Sequence, residues 1–218
     1  MKETLFMGKI TATATHELKN VLAIIRESGG LMQDFLDMVN DGSFKYKEKF
    51  GGILSKVEDQ VRRGDEISTQ LNRFAHTPDS DFTSENVPEV IDQVIALTQR
   101  IARSREVSFV NRPHQSMLTL TCEPVKLRML LFQSMELLMK NAKRGERIEI
   151  RSRLNENKKT FIEFCMESAS GRNQSLDDLE TSGEWKELVA TAGAINSKAG
   201  LSSDSGILTL ELVNMDYK

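Results

Sequence analysis

Cysteine, basic surplus and long apolar runs are all scarce in this 218-residue chain, and each scarcity removes a class of protein. The two cysteines, Cys122 and Cys165, sit in short apolar runs far apart, with no second Cys or His at metal-ligand spacing. They read as buried free thiols, and no metal site is expected from this chain's own residues. The 29 Lys and Arg are outnumbered by 32 Asp and Glu, giving a net charge of -3, so the basic stripe expected of a nucleic-acid binder is missing. No stretch reaches the roughly 20 apolar residues that span a bilayer. The start, MKETLFMGK, lacks the apolar run of a secretory signal, so the expectation is a cytoplasmic protein with no membrane or nucleic-acid partner. Neither a P-loop nor another phosphate-cradling glycine run is present.

What the sequence does carry is periodicity. From Glu3 to about Asn40, Leu18, Val21, Leu22, Ile25, Met32, Phe35, Leu36 and Val39 recur at three- and four-residue intervals, interrupted only at Gly29-Gly30. Asn40-Asp41-Gly42-Ser43 is turn chemistry. A second helical stripe runs from Tyr46 to Ala75 through Phe50, Ile53, Leu54, Val57, Val61, Ile67, Leu71 and Phe74. Two such helices joined by a short turn form an antiparallel hairpin, and pairing of two chains into a dimeric four-helix bundle would bury both stripes.

The polar stretch from Thr77 to Asp81 reads as a linker, placing a boundary between residues 1–78 and 79–218. Beyond it the spacing predicts helices over Val87–Arg103, Pro124–Lys143 and Gly183–Ala199. Strands are expected at Glu106–Asn111, Met117–Cys122, Arg147–Leu154, Thr160–Glu167 and Gly206–Val213. The order implies an α/β sandwich with helices over one face of a largely antiparallel sheet.

At about 100° per residue, His16 lies about 160° from Leu18 on the first helix and therefore faces solvent, with Asn20 on the same face and Glu17 and Lys19 flanking it. A neutral imidazole offers a nucleophilic nitrogen near neutral pH, and an adjacent carboxylate can orient the ring and take its proton. His76, His114 and the basic group Lys140, Lys143, Arg144 and Arg147 read as solvated surface.

The stretch Thr13-Ala14-Thr15-His16-Glu17-Leu18-Lys19-Asn20-Val21-Leu22 resembles the H-box of bacterial sensor histidine kinases. Arg62-Arg63-Gly64-Asp65-Glu66-Ile67 leading to Gln70-Leu71-Asn72-Arg73-Phe74-Ala75 is similar to the second helix of that family's dimerisation and phosphotransfer domain. The order of elements beyond the linker is similar to its ATP-binding domain. The resemblance implies that His16 is phosphorylated and that Glu17 is its acid-base neighbour. Asn20 would stand where phosphatase-active members align a water. Val21 replaces the usual Pro, so the kink that ring imposes is not expected.

The second half departs further. Where the family has two asparagines four apart, the first binding metal, the helix Leu130 to Ala142 keeps Asn141 but offers Leu137, and an apolar side chain cannot ligate Mg²⁺. Glu136 or Gln133 would substitute only in a shifted register. Glu167-Ser168-Ala169-Ser170-Gly171 stands where an Asp-x-Gly-x-Gly turn would read adenine, and no glycine-rich lid appears around Leu176 to Gly183.

The expectation is a phosphotransferase that relays phosphoryl groups between His16 and response-regulator receiver domains without ATP or a cofactor of its own. The receiver would supply the aspartate and Mg²⁺. A second copy of the chain and an upstream hybrid kinase complete the expected partners. The rival readings are a divergent ATP-dependent autokinase, a non-catalytic module that binds a kinase or regulator, and a receiver phosphatase acting through Asn20 and Glu17.

Overall fold

The computed structural model describes residues 2–38, 47–167, 179–202 and 206–214. Helix α1 (Glu3–Asp37) runs without interruption through Val21 and through Gly29-Gly30, and α2 (Lys47–Ala75) returns against it. The Asn40–Ser43 turn and Tyr46 lie outside the described residues. The two helices approach closely at Gly64, where a Cβ would stand 3.2 Å from Val21 Cγ1. The residue that replaces the expected proline is thus a packing residue, 3 % exposed.

The buried side of α1 is Phe6, Ile10, Ala14, Val21 and Ser28, rotated from the stripe read off the sequence. Among the described residues of that stripe only Val21 is buried, while Leu22 remains 63 % and Leu36 48 % exposed. The reason is a competing surface. The first half of α1 packs on the α/β part of the chain as well as on α2, so its inward direction is set by three neighbours instead of one.

The segment from Thr77 to Asp81 is not an open linker. It forms a 3-10 turn at Thr77–Asp79, with Thr77 buried and the turn set against α4. A short strand missing from the sequence reading, β1 (Thr83–Asn86), then leads into α3 (Val87–Ser104), β2 (Ser108–Asn111), β3 (Thr119–Cys122) and α4 (Pro124–Asn141). Proline in the first turn of α3 and of α4 fits positions whose N–H has no helical acceptor. All four residues of β1 are polar, so no hydrophobic alternation marks it. It exists because it pairs antiparallel with β3 and because Glu85 reaches the buried Arg128 guanidinium on α4 at 3.0 Å. Gln93 of α3 takes the Nε hydrogen of the same arginine at 2.7 Å.

The main sheet adds β4 (Arg147–Leu154), β5 (Thr160–Glu167), α5 (Gly183–Gly193), β6 (Lys198–Ser202) and β7 (Ile207–Leu212). Its strand order is β2-β4-β5-β7-β6, with β2 parallel to β4 and every other pair antiparallel. One face of the sheet carries Ile148, Ile150, Ile162, Phe164, Leu208 and Leu210, all at 0 % exposure, beneath the helices. The opposite face carries ion pairs such as Arg153–Glu163 at 2.7 Å. Helix α5 stops well short of Ala199, because Asn196 adopts a left-handed φ of 51° just past Gly193 and turns the chain into β6. Strand β6 alternates between exposed and half-buried residues on the sheet edge, too weak a pattern to separate from the helix before it.

Hairpin and sandwich share one core. Phe6 of α1 meets Phe74 of α2 edge-to-face at 5.4 Å between ring centroids and Phe132 of α4 at 5.5 Å. Lys9 lies over the Phe132 ring at 5.2 Å and pairs with Glu136. Among the described residues no helix is long and apolar enough to cross a membrane.

Two outcomes follow from this packing. Gly51→Ala, where nothing lies within 4 Å of the new methyl, should raise stability by about 0.5–1 kcal/mol. Gly64→Leu should lower the thermal midpoint by driving α2 off Val21; equal midpoints for Gly64→Leu and wild type in a calorimetric scan would contradict the close approach. Burial, then the nearby Glu85, holds the Cys122 thiol at about 12 against an ordinary 9.0, with Arg128 opposing and Glu123 adding to the rise. A thiol raised on folding contributes stability that is full below about pH 9 and is lost as pH climbs towards 12. Cys122 should therefore resist a disulfide reagent at pH 8 until the chain is unfolded, and rapid native-state labelling would refute its burial.

Candidate functional site

The site is built on the middle of α1, where consecutive residues point in directions about 100° apart. His16 is exposed, as its position on the helix predicted, and Asn20, one turn further on, is exposed beside it. Glu17 points elsewhere. Its side chain is only 13 % exposed, forms an ion pair with Arg63 of α2, and receives Arg103 Nη1 of α3 at 3.5 Å. The carboxylate thus joins three helices.

Glu17, Asn20 and Ile24 of α1, Arg63 of α2, and Arg100 and Arg103 of α3 line an open cleft of about 450 Å³. Burial, and then the like charge of Arg103, pull the Arg63 guanidinium below its ordinary value. Arg63 lies within the second-helix stretch quoted from the sequence. Arg100 and Arg103 went unnoticed there because they belong to a helix in the other half of the chain. Their i, i+3 spacing is the one signal that places both on a single helix face.

In the α/β half, Leu137 is 2 % exposed and packs within the core, so the position offers no oxygen ligand. Glu136 is engaged by Lys9 on α1. Gln133 is buried, and neither its Nε2 nor its Oε1 has a hydrogen-bond partner among the described residues. Asn141 Nδ2 donates to the Leu137 carbonyl of its own helix at 2.7 Å. Helix α5 closes on α4 through Lys140 and Glu184 at 2.8 Å, and that hydrogen bond, followed by one from a backbone N–H, holds the Glu184 carboxyl below the usual range. These side chains do not fit a divalent ion bridging a triphosphate. The segment between Ser168 and Asp178, where an adenine-reading turn and lid would fall, lies outside the described residues.

The remaining residues singled out in the sequence are structural. His76 is exposed, with Nδ1 2.8 Å from Asp79, and the His114 backbone N–H donates to Ser152. Lys140 and Arg144 are paired with Glu184 and Glu106, as suits a solvated helix end. Cys122 is buried, whereas Cys165 is half-buried instead of fully enclosed; neither forms a disulfide. Among the described residues no group of three His, Cys, Asp or Glu is placed to hold a metal ion.

The Glu17 bridge should be measurable. Glu17→Gln removes the charge shared by two arginines and is expected to cost about 1 kcal/mol. It should also speed amide hydrogen exchange in the last turn of α3, and unchanged exchange over residues 100–104 would show that the bridge does not hold α3 to α1.

No family model matches the sequence, and no curated protein matches it. The fold has known counterparts. The histidine kinase AdeS of Acinetobacter baumannii is similar over 92 % of this chain and 98 % of its own, at 12 % identity and a TM-score of 0.50. The blue-light activated histidine kinase of Erythrobacter litoralis is similar over 91 % of this chain and 95 % of its own, at 8 % identity and a TM-score of 0.45. The histidine kinase ThkA, solved in complex with the response regulator TrrA, is similar over 96 % of this chain and 62 % of its own, at 16 % identity and a TM-score of 0.46. From Glu3 to Asn214 the chain has the architecture of a histidine kinase, a helical hairpin followed by an α/β domain of the ATPase type.

Proposed function

We propose that this protein is a histidine phosphotransferase of two-component signalling, exchanging phosphoryl groups between His16 and the aspartate of response-regulator receiver domains without using ATP. The observation that carries the reading is the exposed imidazole of His16 on the outer wall of a hairpin with the histidine kinase architecture. A partner can reach it without any movement of the chain. An unprotonated ring nitrogen attacks phosphorus in line, the P–O bond to the aspartate breaks, and the carboxylate leaves with the bonding pair. The other ring nitrogen then carries the proton that must be shed or kept as flow reverses. The receiver supplies the aspartate and its Mg²⁺, and this chain supplies position.

The α/β half supports a role that needs no nucleotide. Leu137 stands where the resemblance calls for a metal-binding asparagine, Glu136 is occupied by Lys9, and Lys140 and Glu184 close α5 on α4. The domain thereby becomes a support for α1. A second copy is the proposed cover for Leu22, Leu36, Leu54 and Val61, each 48 % exposed or more along the hairpin. Burying them in a four-helix bundle would leave His16 outside, since it points away from Leu22 and Leu36.

Receiver domains charged with labelled acetyl phosphate, mixed with wild type, should pass acid-labile label to the protein, and His16→Ala should accept none. An unlabelled wild type across a broad receiver panel would sink the relay. Label arriving from ATP instead would identify an autokinase.

A further inference from the structure

The cleft next to His16 holds more positive charge than the chain neutralises. Arg63, Arg100 and Arg103 face a single lining carboxylate, Glu17, leaving three positive charges against one negative. Arg100 has neither an ion pair nor a hydrogen bond among the described residues, although it is half-buried. Three guanidiniums drawn together without matching anions repel one another, which disfavours the arrangement unless a further anion enters. Planar guanidiniums bind phosphoryl oxygens through paired N–H donors, and they do so better than an ammonium because the fork matches two oxygens at once.

The cleft also lies within reach of the imidazole. Asn20 lines it, and His16 is the residue one turn before Asn20, with Cβ atoms about 5–6 Å apart at that spacing. Arg103 already crosses from α3 to α1 to meet Glu17, the residue adjoining His16.

We propose that Arg100 and Arg103, with Arg63 behind them, form a phosphoryl-binding site for phosphorylated His16, and that the phosphoryl group displaces Glu17 from Arg103. The inference rests on the phosphotransfer reading in that His16 must come to carry phosphate. Its effect is to prolong the phosphorylated state and to free the Glu17 carboxylate only when there is a phosphoryl group beside it. In the unphosphorylated chain Glu17 fills the cleft and keeps the arginines together.

The experiment needs no receiver. Phosphoramidate transfers its phosphoryl group directly to histidine: its P–N bond breaks, ammonia leaves, and a new P–N bond forms to the ring. Wild type, Arg100→Gln, Arg103→Gln and Arg103→Lys are phosphorylated this way, and the half-life of phosphohistidine at His16 is followed at neutral pH by phosphorus NMR, with circular dichroism confirming folding. The expected result is a half-life shortened on the order of tenfold in the two glutamine variants, the scale of one charge-assisted hydrogen bond. Arg103→Lys, which keeps the charge and loses the fork, should lie between. In parallel, inorganic phosphate is titrated into the unphosphorylated proteins, where Glu17→Gln should bind it more tightly than wild type and Arg103→Gln more weakly. Equal phosphohistidine half-lives in wild type and all variants overturn the proposal, whether or not free phosphate binds. If the half-lives fall as expected while receivers never label His16, the relay is wrong and the phosphoryl site stands.

Discussion

Phe6 is the constraint on which the arrangement depends. One side chain at the start of α1 packs on Phe74 from the end of α2 and on Phe132 from α4, so the hairpin and the α/β layer have no separate interiors at that point. Burying three rings together is worth several kcal/mol of apolar transfer, more than any exposed ion pair in the molecule can supply. It fixes where α4 lies along α1, and α3 packs on both of those helices. Arg100 and Arg103 stand on α3 beside Asn20, and Lys9 with Glu136 holds α1 and α4 in the same alignment.

The chemistry of the two halves divides accordingly. The first half displays the imidazole of His16 on a long helix open to solvent, and the second half uses α4 as core. Thirteen residues of α4 are buried, Leu137 among them, and a helix apolar on nearly every side can be a scaffold far more readily than a metal cradle.

Most of the helical framework was legible in the sequence because apolar spacing over 18 residues or more leaves little room for another reading, as in α1, α2, α3 and α4. The exposure of His16 followed from the same geometry. What escaped was short or relational. Strand β1 is polar along its whole length and is held by Arg128, 43 positions away, and β6 is a five-residue edge strand hidden behind a helix that stops at a left-handed asparagine. The rotation of α1 away from its apparent stripe escaped because the winning surface, Phe74 and Phe132, comes from remote parts of the chain. Glu17 shows the same limit: composition and spacing reveal a carboxylate next to a histidine, but only the fold reveals the two arginines that hold it.

The contact of Val21 with Gly64 falls near the midpoint of α1, about 24 Å from its loop end and about 7–8 Å from His16 at 1.5 Å per residue. A tight crossing in the middle of two long rods acts as a fulcrum. Sideways travel at the loop end is reduced to about a third by the time it reaches the imidazole, and its direction is reversed. The α/β domain is fastened through Phe6 and Lys9 to the arm of α1 that carries His16, so a twist applied far away would turn imidazole and arginines together as one piece.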